Sequence, residues 1–103
     1  MMSVLHTTNK SPLRTRDLES CLRLSRAGCG ILLLEDAVYG ALKATSAGAK
    51  IEEAAKDRRI YVLGPDLAAR GFTPEQLVAG VAVVDYGGFV DLAAEYHHVQ
   101  AWL

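Results

Sequence analysis

Apolar positions along the chain switch repeatedly between short strand-like runs and helical spacing. Residues 3–8 predict a first strand, and the polar stretch 9–15, with Ser11-Pro12, predicts a loop. A helix is expected to begin near Asp17, whose carboxylate can accept from the free amides of a first turn. Leu18, Cys21, Leu22 and Ser25 then recur at the i, i+3, i+4, i+7 spacing of one helical face. Gly28-Cys29-Gly30 turns the chain, and residues 31–34 form a continuous apolar run suited to a strand covered on both faces. Asp36 is placed to cap a helix over about 37–44 with Val38, Ala41 and Leu42 inward. The small-residue stretch 45–49 reads as a break, and residues 51–56 as a short helical segment. Residues 60–63 are a third strand. Gly64-Pro65 opens a short helix that Gly71 can end, and Thr73-Pro74-Glu75-Gln76 has the form of a capping box. Residues 81–84 make a fourth strand. Asp85 caps a last helix with Phe89, Leu92, Ala93 and Tyr96 inward, and the tail to Trp102-Leu103 reads as irregular.

Strands alternating with helices predict an α/β fold: a single domain over residues 1–103, with a mostly parallel sheet of about four strands and helices on both faces. Ligands and chemistry in such sheets gather at the carboxyl ends of the strands, here residues 8–10, Glu35-Asp36, 64–66 and 85–88. Composition adds a reason to expect partners. Half of the 103 residues are hydrophobic, and counting glycine in place of tyrosine gives about 55% apolar, against a usual 45 to 50%. Fifteen alanines supply much of that surplus. A net charge of −1, from 11 basic and 12 acidic residues, offers no electrostatic footprint for nucleic acid or an anionic membrane. No run approaches a membrane span, and residues 1–16 carry no apolar stretch long enough for a signal peptide, so the cytoplasm is the expected compartment. There, Cys21 and Cys29 are free thiols, and their spacing fits neither a CxxC motif nor a zinc pair.

Cys21 is the one thiol on a helical face. About one turn inside a helix start, it would sit where aligned amides favour the thiolate that sulfur transfer needs. It also shares its stripe with Leu18 and Leu22, the company of a buried apolar residue. Cys29, between two glycines, lacks a basic neighbour other than Arg26 and reads as structural. His6 reads as a satisfied strand histidine, and His97-His98 as a solvated pair without further ligands at metal-binding spacing. Glu35 and Asp36 could work as acid and base if both faced one cleft, although Asp36 serves a helix cap as well. Gly64-Pro65 and Gly87-Gly88 lack a phosphate-binding framework, and residues 56–59 form a solvated turn. No cofactor and no metal are expected.

Several stretches in order resemble the DsrH/TusB family of sulfur-relay proteins. They are Leu5-His6-Thr7, Ser11-Pro12, Leu32-Leu33-Leu34-Glu35-Asp36, the run from Tyr61 through Gly64-Pro65-Asp66 to Gly71-Phe72, Val84-Asp85-Tyr86 with Phe89-Val90-Asp91-Leu92, and Gln100-Ala101-Trp102. The resemblance runs nearly end to end. It implies a small three-layer DsrE-like fold and assembly with DsrE-like and DsrF-like sister subunits into a heterohexamer. In the DsrH branch the complex hands persulfide sulfur to a DsrC-type carrier during sulfur oxidation. In the TusB branch it feeds a TusE-type carrier for 2-thiolation of the tRNA wobble uridine. Cys21 matches a DsrH thiol position, where TusB relatives can have leucine, and with Gly64-Pro65-Asp66 and residues 99–103 this leans the chain toward DsrH. The resemblance also places the principal sulfur-accepting cysteine on the DsrE-like subunit, which leaves room for a non-catalytic scaffold role here.

Overall fold

The alternation of apolar runs and amphipathic segments resolves, in a computed structural model that describes residues 4–102, into one five-stranded parallel sheet. Of the residues named above, Ser3 and Leu103 lie outside the described ones. The elements are β1 (Val4–Thr8), α1 (Asp17–Leu24), β2 (Gly30–Leu33), a 3-10 segment (Glu35–Ala41), α2 (Ser46–Ala54), β3 (Arg59–Leu63), α3 (Gly64–Ala69), a 3-10 turn (Pro74–Gln76), β4 (Val81–Val84), α4 (Tyr86–Glu95) and β5 (His98–Trp102). The strand order is β4-β3-β2-β1-β5, so the chain steps outward from β1 to β4 and then crosses back to pair β5 on the other side of β1.

Alternation along the strands sorts the sheet into two faces. On one, Ile31, Leu33, Ile60 and Val62 meet Leu18 and Cys21 of α1, Val38 and Ala41 of the 3-10 segment, Ile51 of α2 and Leu67 of α3. On the other, Leu5 and Leu32 meet Leu92 of α4, with Tyr61, Val84, Phe89 and Tyr96 packed around them. Each fully buried Leu or Ile contributes about 1.5–3 kcal/mol relative to exposure, so the first face carries most of the stability. At Gly30, the start of β2, the phenol of Tyr96 packs where a Cβ would stand, which brings the residue after α4 onto the sheet.

Several local expectations hold. Asp85 Oδ1 accepts from the amide of Gly88 at 2.7 Å and caps α4. Gly71 adopts φ +82 after α3, with the Phe72 amide returning to the carbonyl of Leu67. The Gln76 side chain accepts from the Thr73 amide at 2.9 Å.

Four others are corrected. The sheet has five strands, because the tail expected to be irregular is β5, paired in register with β1 from Val4 opposite His98 to Thr8 opposite Trp102. The helix expected over 37–44 is a 3-10 segment that stops at Ala41. Beyond it Lys43 donates to Gln76 and Val78 to Ala41, so this stretch spends its backbone bonds on a bridge to residues 76–78. The stretch 45–49 is the first turn of α2, capped by Thr45 Oγ1, which accepts from Gly48 at 3.0 Å. Neither Asp17 nor Asp36 caps as expected. Asp17 is already helical, its amide donating to Thr15 Oγ1 at 3.4 Å, while Asp36 Oδ1 lies 2.9 Å from the guanidinium of Arg70.

Candidate functional site: a sealed thiol and an open apolar face

Cys21 occupies the buried stripe of α1, which lies over β1 and β5, and is fully enclosed, and its carbonyl accepts from the Ser25 amide that closes the helix. Burial pushes its thiol up to about 12, against the countervailing charge of Arg58 and with a smaller upward contribution from Cys29. The expected preference for thiolate at this position is therefore reversed: the amide field is outweighed by loss of solvent. Cys29 is also buried, at 9% exposure, consistent with its structural reading. Arg58 reaches in from the turn between α2 and β3, donating to the Ser25 carbonyl at 3.0 Å and to Asp57 at 2.9 Å. Both cysteines are free.

His6 is buried on the same sheet face, and its Nδ1 accepts from Nε1 of Trp102 at 3.1 Å, tying β5 to β1 through side chains as well as backbone. Burial, and then Arg58, hold its pKa below the ordinary 6.5. An imidazolium could not accept that bond. Sequence reasoning placed His6 correctly as a satisfied strand histidine but missed its donor, because Trp102 lies on a strand that the local pattern did not reveal.

The strand tips do not assemble an acid–base pair. Glu35 takes φ +47, and its amide donates to Asp66 Oδ2 at 2.6 Å, while Asp36 is engaged by Arg70. The Asp36 carboxylate is thus held by a guanidinium, while Glu35 is engaged through its backbone amide and not through its carboxylate. Among the described residues no group of three or more His, Cys, Asp or Glu side chains could hold a metal ion, and no helix is long and apolar enough to cross a membrane.

One part of the surface, at α4 and β5, is apolar. Along α4, Leu92 is buried, yet Tyr86 and Val90 are 61% and 66% exposed, and with Ala94 they form a second stripe at i, i+4, i+8 on the outer side of the same helix. Beside it, Val99 stands opposite Leu5 in the β1–β5 pairing and shares its face, but remains 48% exposed. A parallel sheet is ordinarily covered on both sides. Among the described residues, α4 is the helix that covers one of them, and the β5 margin is left bare. Composition signalled the surplus; only the fold locates it.

The chain matches the protein family described as "DsrH like protein" over residues 10–99. It is 41% identical to "Protein TusB" of Pectobacterium parmentieri and 35% identical to "Protein TusB" of Escherichia coli (strain K12), in each case over 101 residues that make up 96% of this chain and all of the relative. Its fold is similar to the crystal structure of the ychN protein from E. coli, with a TM-score of 0.85 at 18% identity, covering 98% of this chain and 99% of that one.

Proposed function

Since the chain belongs to the DsrH/TusB family, we propose that it is a docking subunit of a sulfur-relay complex, of the TusB kind that serves 2-thiolation of the tRNA wobble uridine. The curated relatives, 35% to 41% identical over nearly the whole chain, carry the TusB name, which supports this branch over relay to a DsrC-type carrier in sulfur oxidation. The observation that carries the docking role is the outer stripe Tyr86, Val90 and Ala94 on α4, next to the bare β5 margin at Val99. Exposed apolar surface of this continuity marks a protein interface, and DsrE-like and DsrF-like sister subunits are its occupants in this reading. The complex is proposed to act in the cytoplasm, with sulfur passing to a TusE-type carrier from a thiol on a sister subunit.

Co-expression with the two sister chains, followed by native mass measurement, tests the docking role. A heteromer containing this chain is expected, and Tyr86→Lys with Val90→Lys should release it as a folded monomer. A double variant that assembles like the parent would refute this docking face.

A second reading makes Cys21 itself a persulfide carrier. Its support is the charge of Arg58, which favours a sulfur anion at that position. It requires α1 to lift from the sheet, since the closed fold excludes a donor from Cys21.

A further inference from the structure

The loop between β1 and α1 is held in one shape by its own hydrogen bonds. Ser11, itself buried, accepts through Oγ from the Leu13 amide at 3.2 Å and through its carbonyl from Arg14 and Thr15 at 3.0 and 3.2 Å. That turn thrusts Leu13 outward at 88% exposure, the highest of the exposed large hydrophobic side chains, with Arg14 and Arg16 beside it. Together with α1 and the start of α2 the loop walls a cleft of about 620 Å³, floored by Leu18, Leu22 and Tyr39. This is within the roughly 300–1,000 Å³ of ligand-sized sites.

The charge around the cleft is one-sided. Arg14, Arg16 and Lys50 line it against a single carboxylate, Glu19. Three cations elsewhere have carboxylate partners: Arg58 with Asp57, Arg70 with Asp36, Lys56 with Glu53. Among the described residues Arg14, Arg16 and Lys50 have none. In a chain of net charge −1, three such cations against one carboxylate make a local positive field at the cleft. The first turn of α2, which carries no acidic residue, adds its positive end to the same cleft.

We propose that this cleft binds an extended acidic peptide segment of a partner protein, with an aliphatic side chain packed against Leu13 and the leucine floor and carboxylates on Arg14, Arg16 and Lys50. The apolar floor and the projecting leucine favour a peptide over a phosphodiester strand, whose contacts would be almost wholly to cations along a longer stripe. The cleft lies on the α1–α2 side of the sheet, away from α4, so it remains open when the α4 face is occupied. It requires no shape change in the loop, which is prearranged by Ser11.

The test is titration of the full ¹⁵N-labelled chain with a capped Glu-Glu-Leu-Leu-Glu-Glu peptide, followed by amide shifts. Shifts confined to residues 12–19 and 44–50 are expected, weakening as salt rises from about 50 to about 500 mM. Arg14→Glu with Arg16→Glu should weaken binding by about tenfold or more, and Leu13→Ser should weaken it severalfold with the salt dependence unchanged. All three positions are exposed, so the variants keep the parent's dispersed spectrum. Absence of shifts at millimolar peptide, shifts centred on α4, or binding indifferent to the charge reversals would overturn the proposal. So would equal or stronger shifts of the same amides by hexathymidylate or inorganic phosphate, which would assign the cleft to phosphate.

Discussion

The sealed state of Cys21 gives a quantitative prediction about its reactivity. A thiol with the ordinary value of 9.0 is about 3% thiolate at pH 7.5, whereas one pushed up to about 12 is about a thousandfold less ionised. Since the thiolate is the attacking species, alkylation of Cys21 by iodoacetamide should run at least about a thousandfold more slowly in the folded chain than in guanidinium, and complete burial of the sulfur slows it further. Reaction then proceeds through transient opening of α1, so the rate reports the free energy of that opening rather than the chemistry of the site. The assay is mass spectrometry of a Cys29→Ser chain sampled over hours, with the same chain in denaturant as reference. A native rate within tenfold of the denatured one would refute the reasoning, because it would mean that the sulfur is solvated and ionisable in the folded state.

Other consequences can be measured on the isolated chain. His6 has its pKa lowered, so the folded chain resists a proton that the unfolded chain accepts. Stability is therefore complete above about pH 6.5 and falls as pH drops through the window beneath that value, and His6→Gln should remove this part of the slope in urea melts run between pH 7.5 and pH 5. Glu35→Gly relieves a positive φ in a non-glycine residue and should raise stability by up to about 1 kcal/mol in thermal melts; a loss of that size would show that its side chain contributes more than its backbone costs. Gly48→Ala should cost about 1–3 kcal/mol, since an added Cβ would press on the Leu42 carbonyl at the entrance to α2; a neutral result would mean the α2 cap shifts freely.

Much of the fold was legible where local signals agreed with the tertiary outcome. The apolar runs at residues 31–34 and 60–63 became central strands because both of their faces are covered, and Asp85 capped α4 because nothing competed for its carboxylate. β5 was not legible. Most of its residues are exposed, it has no hydrophobic run, and its strand partner among the described residues is β1, more than ninety residues away. Asp36 and Asp17 illustrate the same limit at the level of single residues. Each has the composition of a cap, but Arg70 claims one and the Thr15 hydroxyl takes the amide of the other's turn. For the site, spacing alone gave two readings of Cys21, nucleophile at a helix start or filler of an apolar stripe. Spacing could not choose, because the choice rests on desolvation by burial, which only the assembled core supplies. The apolar surplus was visible in composition, whereas its concentration on the outer side of α4 depends on which side of that helix the sheet covers.

This subunit is proposed to contribute surfaces while a sister subunit's thiol carries the sulfur. The most direct measurement is sulfur delivery to the carrier by the purified heteromer containing Cys21→Ser, with assembly verified by native mass. Transfer at a rate within twofold of the parent complex is predicted. An intact complex that no longer passes sulfur would contradict the account and make Cys21 part of the relay.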